Sequence, residues 1–161
     1  MKKVIRVGMS DYQICQPPQC ISTLGLGSCI GVVFYDTSTK ICGMAHVMLP
    51  NSKAITGCEN RKKFVDTCLE DMHRELLNLG ANKRFLVAKM AGGARMFSYG
   101  TKSELFNIGE KNIRATREYC ERIKIPIIAE DTGSTYGRTI EFDPESGELL
   151  IRAVGIGSST I

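Results

Sequence analysis

Apolar positions open the chain in short runs. Lys2 to Val7 reads as a strand, and so does Gln19 to Leu24, with Pro17-Pro18 marking the loop between them. Ile30-Gly31-Val32-Val33-Phe34-Tyr35 is the clearest strand, since its β-branched and aromatic residues run unbroken to the turn-forming Asp36-Thr37-Ser38-Thr39. Ile41 to Leu49 returns as its hairpin partner. The period then changes. From Arg61 to Leu79 the apolar side chains Val65, Cys68, Leu69, Met72, Leu76 and Leu79 recur every three or four residues, which predicts an amphipathic helix stopped by Gly80. Lys83 to Met90 reverts to strand. Gly109 to Ile123 predicts a second helix, with Ile113, Thr116, Cys120 and Ile123 on one face and Pro126 just beyond its end. Three strands follow, Ile125 to Ala129, Arg138 to Asp143 and Glu148 to Val154, the last two joined by the turn Pro144-Glu145-Ser146-Gly147. Strands at both ends with two helices between them predict an α+β layered sandwich of mixed β-sheet with two main helices, not a regular βαβ series.

Composition adds bounds to this picture. A chain of 161 residues without linker, repeat or low-complexity tract is expected to form one domain over residues 1–161 with a sizeable core. Hydrophobic residues make up 43% and charged residues 24%, which is ordinary for a soluble globular protein and suggests neither disorder nor a fibrous repeat. The start, Met1-Lys2-Lys3-Val4-Ile5-Arg6-Val7, places Arg6 where a signal peptide needs its apolar core, and no run approaches the roughly 18 apolar residues of a membrane span. A cytoplasmic location is expected. Seven cysteines in such a chain read as reduced thiols, not a disulfide framework. The net charge of +4 is spread along the chain, so nucleic acid binding is not indicated. No apolar heptad argues for an obligate oligomer, and a monomer is expected.

Candidate chemistry centres on Leu24-Gly25-Leu26-Gly27-Ser28-Cys29-Ile30-Gly31, where three glycines and a serine surround one cysteine just before a strand. Glycine there permits positive φ and close approach, as a nucleophile and its oxyanion-binding amides require. A tight turn holding a small buried cysteine is the plainer alternative. A free thiol, with a reference pKa of about 8.5, needs a neighbouring base or cation to act as a nucleophile at neutral pH. The chain has two histidines. His73, among Glu70, Asp71, Arg74 and Glu75, reads as a solvated surface residue. His46 sits in the apolar stretch Gly43-Met44-Ala45-His46-Val47-Met48-Leu49-Pro50, either as a core histidine with a hydrogen-bond partner or as a base. Folding the hairpin brings it to the same end of the sheet as Cys29.

The other motifs are weaker. Gly27-Ser28-Cys29-Ile30-Gly31 imitates the nucleophile elbow of α/β-hydrolases, but a strand follows where that fold requires a helix. Gly25-Leu26-Gly27 lacks a third glycine at position 30, and Gly100-Thr101-Lys102-Ser103 lacks the Gly-Lys of a phosphate loop. Cys15, Cys20, Cys42, Cys58, Cys68 and Cys120 form no C-x-x-C pair, so no metal or cofactor is expected, and Cys68 and Cys120 read as core. Gly92-Gly93-Ala94-Arg95-Met96-Phe97 and Asp131-Thr132-Gly133-Ser134-Thr135-Tyr136-Gly137-Arg138 read as glycine loops, or else as the rim of a substrate cleft.

Taken together, Thr23-Leu24-Gly25-Leu26-Gly27-Ser28-Cys29, His46-Val47-Met48-Leu49-Pro50, Ala88-Lys89-Met90-Ala91-Gly92-Gly93-Ala94, Phe106-Asn107-Ile108-Gly109 with Asn112, and Gly137-Arg138 resemble the chemoreceptor glutamine deamidases, the CheD family, along nearly the whole chain. The pattern departs from that family at Ala91, where a bulky residue is usual, and at Ser134, where a glycine is usual. The resemblance implies a protein-glutamine deamidase in which Cys29 is the nucleophile, His46 the base and Thr23 a third residue that orients the imidazole. Amides near Gly27 and Ser28 would steady the oxyanion. It further implies a layered fold shared with deamidating toxin catalytic domains, the cytoplasmic helices of methyl-accepting chemoreceptors as substrate, and a CheC-type phosphatase as partner. The catalytic residues alone leave open a cysteine hydrolase of small amides or thioesters, and a binding module acting mainly as a regulatory partner.

Overall fold

The computed structural model describes residues 2–54, 57, 59–96 and 107–161; Cys58, Phe97, Gly100-Thr101-Lys102-Ser103 and Phe106 lie outside them. Among the described residues, ten strands form two five-stranded mixed sheets. The outer sheet has the order β1 (Val4–Val7), β3 (Cys20–Leu26), β8 (Arg138–Asp143), β9 (Glu148–Ala153), β10 (Gly157–Thr160). The middle sheet has the order β2 (Asp11–Cys15), β5 (Cys42–Val47), β4 (Ile30–Asp36), β6 (Leu86–Gly92), β7 (Ile127–Thr132). Helices α1 (Val65–Asn78) and α2 (Ile108–Ile123) cover the far face of the middle sheet. The α+β layered sandwich with two main helices expected from the sequence is what the chain forms, with its strands divided between two sheets.

The middle sheet explains why Ile30 to Tyr35 is continuously apolar. Every residue of β4 and β5 is buried, as a sheet covered on both faces requires. Alternate side chains serve different cores. Ile30, Val32, Phe34, Ala45 and Val47 pack with Val65, Cys68, Leu69, Met72 and Leu76 of α1 and with Ile113 and Cys120 of α2. Cys29, Val33, Tyr35, Cys42 and Met44 face the outer sheet and meet Ile21, Leu26, Ile140, Phe142 and Ile151. Gly31 permits a close approach between the two sheets, since a Cβ there would lie 2.5 Å from Ile140 Cδ1.

Several expectations need correction. The loop expected between the first two strands contains β2, an edge strand paired antiparallel to β5 from Asp11↔His46 to Cys15↔Cys42. The first helix starts at Val65; Arg61–Lys63 form a separate helical turn capped by the Asn60 side chain, which accepts from the Lys62 N–H at 3.1 Å. Leu79 lies outside the buried stripe and is exposed. The strand expected at Ile125 to Ala129 runs from Ile127 to Thr132, and β10 was not expected at all. His73 is not a solvated surface residue: it is half-buried at the margin of the α1 stripe, edge-on to Phe34 at 6.2 Å, and its Nε2 is buried without a partner.

Candidate functional site

The hairpin of β4 and β5 pairs Gly31 with His46 and Ile30 with Val47. His46 therefore points toward the outer sheet, and Cys29, two residues before Gly31 on the same face, is its diagonal neighbour with no side chain at Gly31 between them. Both are buried, Cys29 to 9% exposure and His46 to 1%.

Thr23, in the outer sheet, reaches across the gap. Its Oγ1 lies 2.7 Å from His46 Nδ1 and 2.8 Å from the Val7 carbonyl oxygen. A carbonyl only accepts, so the single hydroxyl hydrogen of Thr23 goes to Val7 O. Nδ1 must then carry the other hydrogen and donate to Thr23 Oγ1. This fixes the tautomer and leaves Nε2 as a lone-pair acceptor, buried and without a hydrogen-bond partner among the described residues. Burial pushes the Cys29 thiol up and pulls the His46 imidazole down from their usual values, so both are neutral at neutral pH. A hydrogen bond from the Cys29 N–H to its own thiol opposes part of that rise.

The loop carrying Cys29 is held by three successive carbonyls. Gly27 O accepts from Ala94 N at 2.8 Å, Ser28 O from Asn112 Nδ2 at 2.9 Å, and Cys29 O from Gly93 N at 2.9 Å. The first and last donors belong to the loop that follows β6, which lies so close that a Cβ on Gly92 would sit 2.3 Å from Cys29 O. Asn112 Nδ2 also donates to Met48 O at 3.0 Å, so one side chain of α2 ties the cysteine loop to the segment just past His46. The two glycine loops are joined to each other: Gly133 N donates to Gly92 O at 2.9 Å and Arg95 N to Ser134 O at 2.8 Å. Ser134 has φ +59°, the left-handed region in which a glycine is the usual occupant. Arg138, with no exposed side-chain surface, donates to Gly133 O at 3.0 Å and to Asp131 Oδ1 at 3.3 Å beneath the ring of Tyr136.

Cys29, His46 and Thr23, and the Gly27-Ser28 turn beside them, thus meet in one place between the sheets. Asn112 and Arg138 are the supports that hydrophobic periodicity alone does not reveal, although each had a signal: a polar residue on an apolar helix face, and a charge on the inward side of a strand. The other thiols among the described residues, Cys15, Cys20, Cys42, Cys68 and Cys120, are buried and free. The described residues hold no group of three or more His, Cys, Asp or Glu side chains arranged to bind a metal, and no helix among them is long and apolar enough to cross a membrane.

Comparison with known proteins bears on the chain as a whole. The family profile described as CheD chemotactic sensory transduction matches residues 48–153. The chain is 53% identical over 155 residues to a probable chemoreceptor glutamine deamidase CheD of Lachnoclostridium phytofermentans, covering 96% of each chain. It is 46% identical over 162 residues to the chemoreceptor glutamine deamidase CheD of Halalkalibacterium halodurans, covering 100% of both chains. Identity to the protein of the same name from Bacillus licheniformis is 46% over 159 residues, covering 98% of this chain and 95% of that one. The profile begins beyond His46, whereas the full-length alignment to the Halalkalibacterium protein also spans Thr23 and Cys29. The chain belongs to the CheD family.

Proposed function

We propose that the protein deamidates glutamine side chains of chemoreceptors through a thioester on Cys29, with His46 as general base and Thr23 holding the imidazole. The observation that carries this reading is His46 Nε2, a buried acceptor with its tautomer set by Thr23 and no partner of its own, on the face that Cys29 shares. The names of the relatives supply the substrate class.

Because burial favours both neutral forms, the thiol proton passes to Nε2 as Sγ attacks the carboxamide carbon, not beforehand. The oxyanion is met by the Cys29 N–H together with amides of the Gly27-Ser28 turn. The C–N bond breaks as the imidazolium returns its proton to nitrogen, and ammonia leaves. Water then gives a proton to Nε2 and attacks the γ-glutamyl thioester. The sulfur departs and recovers that proton, and glutamate remains.

Mass spectrometry of chemoreceptor cytoplasmic fragments incubated with the protein tests this. The gain in mass from replacing an amide NH2 by OH should appear with the wild type and not with Cys29→Ala; equal masses overturn the reading. Family membership also supports a cytoplasmic protein, monomeric by itself, that binds a CheC-type phosphatase. Binding of that phosphatase to Cys29→Ala, and its effect on phosphatase turnover, would separate the partner role from catalysis.

A further inference from the structure

Among the described residues, five of the large exposed apolar side chains lie at the end of the two sheets from which the Cys29 loop emerges. Leu24, next in β3 to the inward-facing Thr23, faces out by strand alternation at 53% exposure, and a bulge between Thr23↔Ile140 and Leu26↔Arg138 keeps Gly25 exposed beside it. Met9, 60% exposed, sits between Val7, whose carbonyl holds Thr23, and Ser10, whose N–H donates to His46 O. Met96, 47% exposed, lies over Gly27, its Cγ 3.1 Å from where a Cβ would be. Val154 and Ile156, 78% and 67% exposed, follow the row Leu26–Arg138–Ala153 in the turn into β10, where the Val154 N–H donates to Gly137 O. All five lie at the end of the sandwich where the Cys29 loop reaches the surface.

An apolar group of this kind on a water-facing rim marks a contact surface. We propose that it is the docking surface for the protein substrate: a glutamine-bearing segment lays apolar side chains beside the glutamine onto Leu24, Met9, Met96, Val154 and Ile156 while its carboxamide enters to Cys29. This rests on the deamidase reading and narrows its substrate class. The thiol is only 9% exposed, so a single side chain passes inward and its carrier rests on the rim. Free glutamine, charged at its α-carbon and without apolar neighbours, has nothing to place there.

The test compares wild type, Leu24→Ser/Val154→Ser, and Phe85→Ser, an exposed apolar control that ends the helical turn Lys83–Phe85 just before β6. Binding of a chemoreceptor cytoplasmic fragment is measured by calorimetry, its deamidation by mass spectrometry, and access to Cys29 by the rate of alkylation with iodoacetamide. The double variant should bind the fragment about tenfold more weakly, as expected from losing two apolar contacts of this size. Its kcat/KM should fall through KM, with alkylation unchanged, and Phe85→Ser should behave as wild type. Equal binding by the double variant, an equal loss with Phe85→Ser, or no binding by the wild type overturns the docking surface. A wild type that binds the fragment, with the variant weakened, yet leaves every glutamine intact overturns the deamidase reading and upholds the surface.

Discussion

His46 Nε2, Asn112 Oδ1 and Arg138 Nε are buried polar atoms without partners among the described residues: His46 shares a face with Cys29, Asn112 holds the Cys29 loop, and Arg138 holds the Gly133 loop joined to Gly92. Leaving such an atom unpaired costs about 1–3 kcal/mol, a cost retained where it serves chemistry. Thr23→Val removes the acceptor of the Nδ1 hydrogen and frees the tautomer. We expect a large loss of kcat and a stability loss of about 1–3 kcal/mol by thermal denaturation, with Cys29 still alkylated at the wild-type rate. The two directions of pKa shift give separate pH predictions. The thiol is raised by burial, so its thiolate appears at higher pH than that of an exposed cysteine, and alkylation of Cys29 should climb on the alkaline side of the ordinary thiol range. The imidazole is lowered, so the folded state favours its neutral form. That contribution is present above the unfolded value of 6.5 and is lost as pH falls below it toward the folded value. Melting temperature should therefore drop on acidification through this window, and less so in His46→Gln.

At the scale of elements, the hairpin and both helices were legible because each carries its own signal: the apolar run of Ile30 to Tyr35, the turn at Asp36, and the three-and-four spacing from Val65 to Leu76. β2 was hidden because Asp11-Tyr12-Gln13-Ile14-Cys15 mixes polar and half-buried positions at a sheet edge. β10, Gly157–Thr160, is exposed throughout and is recruited by backbone pairing to β9, so no side-chain pattern announces it. Within the site, Cys29 and His46 could be paired from the hairpin register, whereas Thr23 came only through family likeness, since nothing local to β3 says that it faces β5 across a gap. Asn112 links α2 to two carbonyls far away in the chain. Asn112→Ala should cost about 1–3 kcal/mol in urea unfolding and reduce kcat more than a core substitution of equal cost elsewhere in α2, because the Ser28 and Met48 carbonyls lose their shared donor. Equal effects on kcat would reduce Asn112 to a purely structural role.

For the whole molecule, the three layers divide the site between them. Cys29 and His46 come from the middle sheet, Thr23 from the outer one, and Asn112 from the helical layer. Loosening the contact between the sheets while the helices stay packed would separate Thr23 from His46. Deamidation should thus fall at lower urea concentration than the far-ultraviolet helical signal, and coincident curves would contradict this. The bond between Thr23 and His46 also has a bearing on when activity begins during synthesis. The strand that carries Thr23 is flanked on one side by β8, which follows both helices in the chain, so a nascent chain that has not reached β8 holds Cys29, His46 and Thr23 without the partner strand that places Thr23. Under the proposed function, the Thr23–His46 contact, and catalysis with it, should therefore arise only once β8 has been made.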